Sequence, residues 1–444
     1  MPGDMRTDAP DCGGLSRFRF RAGACCGVVL LVMVALVGRL GYLQVASYDR
    51  FQDVRERRLT ATDPIPVWRS KIIDSHGRDL ALSVTVKSCA MDPSMAGDPV
   101  QVLRVLRGVI GLNHDEMDTI QERILRPDCR FAWIRRRISD ETATSITALR
   151  LPGVIISEDW VRRYPQGNLA SQLLGFTDVD GMGREGLEAS FDEVLRGSVG
   201  RRVRQRDAFN RPVFLDDSVI EERRSGMDLQ LTIDSYIQMM AERTLQKVVR
   251  LHSPARVSAV VMDPRNGDVL AMGNWPTFDP NDPGQSEAEA RYNFALAGVY
   301  EPGSIFKPFT LACALDAGVM TKDTPIFCEN GAWNMGFRTL HDVHGYGSLD
   351  AATVVVKSSN IGIAKVALKL GPERYYQYLC NFGFGAPTGI GLRGEEDGIF
   401  RPLSQWNVKF SMTSIPMGHE VCITPLQITA AFSSVVNGGT LYRP

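Results

Sequence analysis

Lysine is scarce in this chain: only nine of its 50 basic residues are lysines, so each one that falls in an apolar setting is informative. Excess charge is missing as well. The 50 basic side chains face 51 acidic ones, and a net charge of −1 over 444 residues argues against a protein that coats nucleic acid or another polyanion. Within that balance the arginine-rich stretches at 55–58 and 201–206 read as solvated faces. The nine cysteines show neither the repeated C-x-x-C spacing of a zinc site nor the density of a disulfide scaffold. Cys25, Cys26, Cys313 and Cys422 lie in apolar surroundings and are expected as buried thiols. With 44% apolar and 23% charged residues the composition is globular, and the length exceeds what one core usually serves, so a modular chain is expected.

One long uncharged run sets the compartment. AGACCGVVLLVMVALVG, residues 22–38, follows Arg17, Arg19 and Arg21 and is closed by Arg39. Its length suffices to span a bilayer with arginines snorkelling at both ends. Positive charge ahead of the span keeps the N-terminus cytoplasmic and sends the rest outward. No small-residue cleavage site follows, and Arg39-Leu40-Gly41-Tyr42-Leu43 continues a helical pattern, so a retained anchor is favoured over a cleaved signal peptide. Residues 1–21 then form a cytoplasmic tail and 22–40 a transmembrane helix.

Beyond the anchor, residues 40–58 continue as an Arg-rich helix until Asp63-Pro64-Ile65-Pro66 breaks it. Short strands, helices and turns from about Val67 to Gly226 suit an α+β spacer, giving a region 41–225. A second region, 226–444, opens with the alternating run MDLQLTID, expected as a strand over 227–234, and an amphipathic helix over 235–251. VSAVVMD (257–263) and VLAMGNW (269–275), joined through Asn266-Gly267, read as an antiparallel hairpin.

The chemistry-bearing stretch is YEPGSIFKPFT, residues 300–310. Pro302-Gly303 stops what precedes it, and Ser304 suits the N-cap or first turn of an apolar helix. Pro308 is tolerated only near a helix start, which places Ser304 there independently. At a spacing of three, Lys307 shares a face with Ser304. Burial lowers a lysine's pKa enough for it to serve as base to a serine nucleophile, and backbone N–H groups at the helix start suit an oxyanion. No other lysine has a serine three residues before it.

A second element strengthens the first. Ser358-Ser359-Asn360 contains the chain's single asparagine with a serine two positions earlier. A Ser358 hydroxyl suits a proton relay to a leaving amine, and the Asn360 amide suits contact with a substrate amide and the lysine. The catalytic candidates are therefore Ser304, Lys307, Ser358 and Asn360, with Ser358 and Asn360 also contacting substrate. His341 and His344 in HDVH invite a metal reading, but no third ligand accompanies them, so they are taken as polar loop residues and no metal is expected.

These motifs together resemble a class B penicillin-binding protein of the septal, cell-division type, for which S-x-x-K is a known signature. WRSKIIDSHGRDLA (68–81) is similar to the family's membrane-proximal segment, with Ser70 and Ser75 in place of the usual Gly and Arg. RRYPQGNLASQLLGF (162–176) and GREGLE (183–188) resemble its pedestal motifs. GMDLQLTIDSYIQ, YEPGSIFKP, SSN, GFGAPTGI (383–390) and ITPLQITAAFSSVVNGGTLYRP (423–444) follow in family order. The resemblance implies an α+β fold, with a single transmembrane helix, an elongated pedestal or dimerisation-type domain, and a transpeptidase domain of antiparallel sheet flanked by helices.

It also implies a peptidoglycan DD-transpeptidase in which Ser304 attacks the penultimate D-Ala of a stem peptide. Lys307 would be the base, Ser358 the relay, and β-lactams would acylate the same serine. No cofactor is implied. The implied partners are stem peptides on lipid-linked precursor, β-lactams, the cytoplasmic membrane, a septal glycosyltransferase and other division proteins, without nucleic acid. The family's third motif, K-[ST]-G, is absent from the 444 residues. The expectation is a chain truncated before that strand, with an incomplete transpeptidase domain and little activity by itself. A non-catalytic division scaffold is the competing reading, and a β-lactam sensor or serine β-lactamase a third.

Overall fold

The computed structural model describes residues 12–46, 60–65, 67–198, 200–206, 212–221 and 224–444. It divides into two compact units, Met1–Pro66 with Val199–Arg224, and Val67–Ser198 with Ser225–Pro444. The first contains the helix Cys12–Gly41, a π-helical turn Tyr42–Ala46, and an antiparallel sheet in which Gly200–Arg206 lies between Thr60–Ile65 and Pro212–Glu221. Gly23–Gln44 is long and apolar enough to cross a membrane, and none of its most apolar stretch is buried by protein. Cys25 and Cys26 are therefore exposed rather than buried, because among the described residues none covers the apolar run that holds them. The helical continuation expected to residue 58 falls outside the described residues from 47 onward.

In the second unit a long strand, Asp79–Met91, pairs antiparallel with Ala132–Ile138, with Val154–Arg163 and with Ile72–Ile73. Helices Pro99–Ile110, His114–Ile124 and Asp140–Ala148 cover it through Leu103, Leu106, Ile120 and Ile146, all buried. The three stretches singled out between residues 68 and 188 meet at one carboxylate. Glu188 is fully buried and accepts from Arg69 Nε and, at 2.7 Å, from Arg162 Nε, while Arg69 Nη1 reaches Asp192 at 2.6 Å. Removing one partner of such a buried cluster leaves an uncompensated charge.

The strand expected over 227–234 is shorter. Only Leu229–Gln230 finds a partner, parallel to Ile72–Ile73, after which Leu231 and Ile233 turn into the core and Asp234 caps the helix Ser235–His252. The expected hairpin is present as Val257–Met262 paired with Val269–Trp275. One apolar cluster runs from Ile72 and Leu80 through Leu173 and Leu187 to Met272, Leu296 and Leu426. A second one, rich in aromatics, surrounds the helix Lys307–Asp316 and positions the site.

Candidate active site

Ser304 does not open an α-helix. It lies in a 3-10 turn, Gly303–Phe306, and the α-helix starts at Lys307. Pro308 explains this. Lacking an N–H, it cannot bond back to the Ser304 carbonyl in the i−4 pattern, so the Lys307 N–H takes that carbonyl in the i−3 pattern. A 3-10 turn has three residues per turn, which brings positions 304 and 307 one above the other.

Aromatic packing immobilises the turn. Phe306 and Phe309 are fully buried; the Phe306 ring packs at a tilt 4.9 Å from Phe384, and that of Phe309 4.6 Å from Phe432. From the other side the segment 415–423 is stitched to the turn. Gly303 N–H donates to Gly418 O at 3.1 Å, and Tyr300 and Ile423 exchange both backbone bonds. Gly418 has φ +79°, and a Cβ there would lie 2.1 Å from Gly303 O, so only glycine fits.

The four candidates divide by environment. Ser304 is exposed and its hydroxyl bonds to no described residue, whereas Lys307 is 1% exposed. The Lys307 amine turns to the second motif: Nζ lies 2.6 Å from Ser358 O, 2.9 Å from Ser358 Oγ and 2.7 Å from Asn360 Oδ1. The structure thus joins Lys307, Ser358 and Asn360 directly. Ser304 sits one turn above them without a Ser304–Lys307 hydrogen bond. Burial pulls the Lys307 pKa down from 10.5 to about 8, and the charge of Asp342 offsets part of that fall.

The Ser-x-Asn segment is itself constrained. Ser358 has φ +55°, a left-handed conformation that costs a serine about 1–3 kcal/mol and persists only where the surroundings impose it. Ser359, fully buried, caps the helix Asn360–Leu370 by accepting from Gly362 N–H at 2.9 Å. That helix packs on Lys307–Asp316, which brings the two motifs together.

Sequence reasoning missed Asp342. Attention went to the histidines of HDVH, yet the aspartate between them takes hydrogen bonds from Ser359 Oγ at 2.6 Å, Asn360 N at 2.5 Å and Ile361 N at 3.0 Å. His341 contributes its carbonyl, which accepts from Asn360 Nδ2 at 2.9 Å and so turns Oδ1 toward the lysine. A carboxylate in a polar loop carries no signal of this kind until its partners are known. A separate cavity of about 740 Å³, lined by Arg137, Arg163, Tyr164, Phe176 and Asn281 among others, includes none of the four candidates. No cluster of metal-ligating side chains occurs among the described residues.

Residues 257–444 match the penicillin-binding protein transpeptidase domain and residues 64–231 the penicillin-binding protein dimerisation domain. The chain belongs to the class B penicillin-binding proteins. It is 31% identical over 428 residues to the peptidoglycan D,D-transpeptidase FtsI of Escherichia coli, covering 96% of this chain and 72% of that one. Identity to the probable peptidoglycan D,D-transpeptidase PenA of Neisseria meningitidis is also 31%, over 414 residues, covering 93% and 71%. Among solved structures, penicillin-binding protein 3 of Mycobacterium tuberculosis complexed with aztreonam superposes with a TM-score of 0.63 at 28% identity, covering 85% of this chain and 66% of that one. The single N-terminal apolar helix fits the membrane anchor expected of such a protein.

Proposed function

We propose that this class B penicillin-binding protein cross-links peptidoglycan by serine acyl transfer, with Ser304 as nucleophile. The observation that carries the reading is the buried Lys307 amine, held between Ser358 and Asn360 one 3-10 turn from an exposed serine. In its neutral form Lys307 donates two protons, to Ser358 O and Asn360 Oδ1, and keeps a lone pair for a hydroxyl proton. Ser304 Oγ bonds to the penultimate D-Ala carbonyl carbon of a stem peptide as its proton passes to Lys307. Collapse of the tetrahedral intermediate breaks the amide bond, and the leaving D-Ala amine takes the proton by way of Ser358. An amine from a second strand then displaces Ser304 from the ester. β-Lactams would form the same ester bond.

The assignment extends to context. We place residues 1–21 in the cytoplasm, the 22–40 helix in the inner membrane, and both the 41–225 pedestal and the 226–444 transpeptidase region outside it. Arginines ahead of the apolar run support that direction. Lipid-linked precursor, a septal glycosyltransferase and other division proteins are the proposed partners. A fluorescent penicillin, incubated with the full-length gene product and followed by mass spectrometry of the labelled peptide, tests the centre of the reading. The label is expected on Ser304 and absent in Ser304→Ala; a variant that labels as strongly as the parent rules the nucleophile out.

A further inference from the structure

We infer that Asp342 is a positioning residue for the reaction: its carboxylate, with the His341 carbonyl beside it, holds the Ser358-Ser359-Asn360 segment in the orientation that faces Lys307. Three donors from three successive residues converge on this one carboxylate: Ser359 Oγ, Asn360 N and Ile361 N. Two of them are first-turn N–H groups of the helix Asn360–Leu370, groups that no bond within the helix satisfies. A carboxylate at a helix N-terminus is also favoured by the helix dipole.

The consequence lies on either side of the clamp. Ser358, the residue just before the bonded stretch, is held at φ +55°, and both its carbonyl and its hydroxyl reach Lys307 Nζ. Asn360, whose N–H is bonded to Asp342, is oriented further by its own Nδ2 bond to His341 O, leaving Oδ1 2.7 Å from Nζ. Every lysine contact in the site therefore comes from a residue next to, or within, the stretch that Asp342 grips. The loop is anchored in turn: Asp342 N–H donates to Gly331 O at 3.1 Å, and the hairpin of Ala332–Asn334 with Thr339–His341 is tied by Arg338 to Thr413 and Ser414. Asp342 touches neither the lysine nor the serine nucleophile through a hydrogen bond. It acts through the segment it orients.

This rests on the Ser304–Lys307–Ser358–Asn360 reading. Its test is the second-order rate of labelling by a fluorescent penicillin, measured on the full-length protein in detergent for the parent, Asp342→Ala, Asp342→Asn and Ser304→Ala, each with a thermal melt. Asp342→Ala is expected to label about 100-fold more slowly, the cost of a catalytic group displaced by a fraction of its own size. Asp342→Asn keeps an oxygen for the two backbone donors and loses the Ser359 bond, so it is expected within about tenfold of the parent.

An Asp342→Ala variant labelling at the parent rate overturns the inference, and so does an Asp342→Asn variant as slow as the alanine. Should Asp342→Ala fail to fold, Ser359→Ala combined with Asp342→Asn decides. Both remove the Ser359–Asp342 bond, and Ser359→Ala also removes the bond from Gly362 N–H, so the double variant labels no more slowly than Ser359→Ala alone; multiplied losses overturn the idea. A parent that does not label, or that labels equally when Ser304 is alanine, defeats the underlying reading instead.

Discussion

A buried lysine amine with a pKa near 8 is a usable base, and Lys307 reaches that value because burial strips solvation from its charged form, a fall that the charge of Asp342 only partly offsets. At pH 7 about one such lysine in ten is neutral, against fewer than about one in a thousand for an unperturbed side chain. With Lys307 as the proposed base, only its neutral amine can take the Ser304 proton, so acylation by penicillin is expected to rise with pH and reach half its maximum near pH 8. A stopped-flow pH series on the parent checks this. A rate that is flat from pH 6 to 9 removes Lys307 from the role of base. Hydrogen bonds to Ser358 and Asn360 hold the amine in place and replace part of the solvation lost on burial.

At the scale of elements, the 3-10 turn Gly303–Phe306 is the feature on which the proposed acyl transfer rests. Serine and lysine three apart are about 60° out of line on an α-helix and in line on a 3-10 turn. Pro308 enforces the second geometry by withholding the N–H that would bond to Ser304 O. Pro308→Ala restores that donor and lets the α-helix extend back by a turn. It is expected to slow penicillin acylation by about tenfold or more while the melting temperature stays level or rises, because position and not stability is lost. Equal labelling by the variant would mean that the turn type has no bearing on the chemistry. Gly418, seated on Gly303, limits the turn from the other side.

Across the molecule, the core passes from the sheet around Asp79–Met91 to the helices after residue 235 without interruption, and Asp74 marks one of its polar joints. Burial pushes the Asp74 carboxyl up, but bonds from Ser235, Arg78 and His76 outweigh it and hold it well below the usual carboxylate range. The unfolded chain therefore takes up this proton before the folded one does. The stabilisation from Asp74 is complete above the unfolded pKa of about 4 and is lost as pH falls toward the folded value. Asp74→Asn is expected to lower stability by about 2 kcal/mol at pH 7 and to converge with the parent in strong acid. Thermal melts from pH 7 to 3 measure the loss at neutral pH and the onset of the narrowing gap; parallel curves would assign the acid sensitivity elsewhere.

By itself the sequence determined the features that depend on near neighbours. The apolar run before Arg39, the hairpin around Asn266-Gly267, the amphipathic helix after Asp234 and the Ser304–Lys307 pair all follow from periodicity and turn chemistry over a few residues. The strand expected at 227–234 is shorter in the fold because pairing requires a partner, and only residues 229 and 230 meet one. Tertiary structure alone decided how the lysine is used. Its amine bonds to residues 51 and 53 positions later rather than to the serine three positions before it, and its burial exists only in the folded chain. Asp342 belongs to the same class: its role is set by which donors the folded helix start presents to it, and those contacts exist only once its loop lies against that helix start.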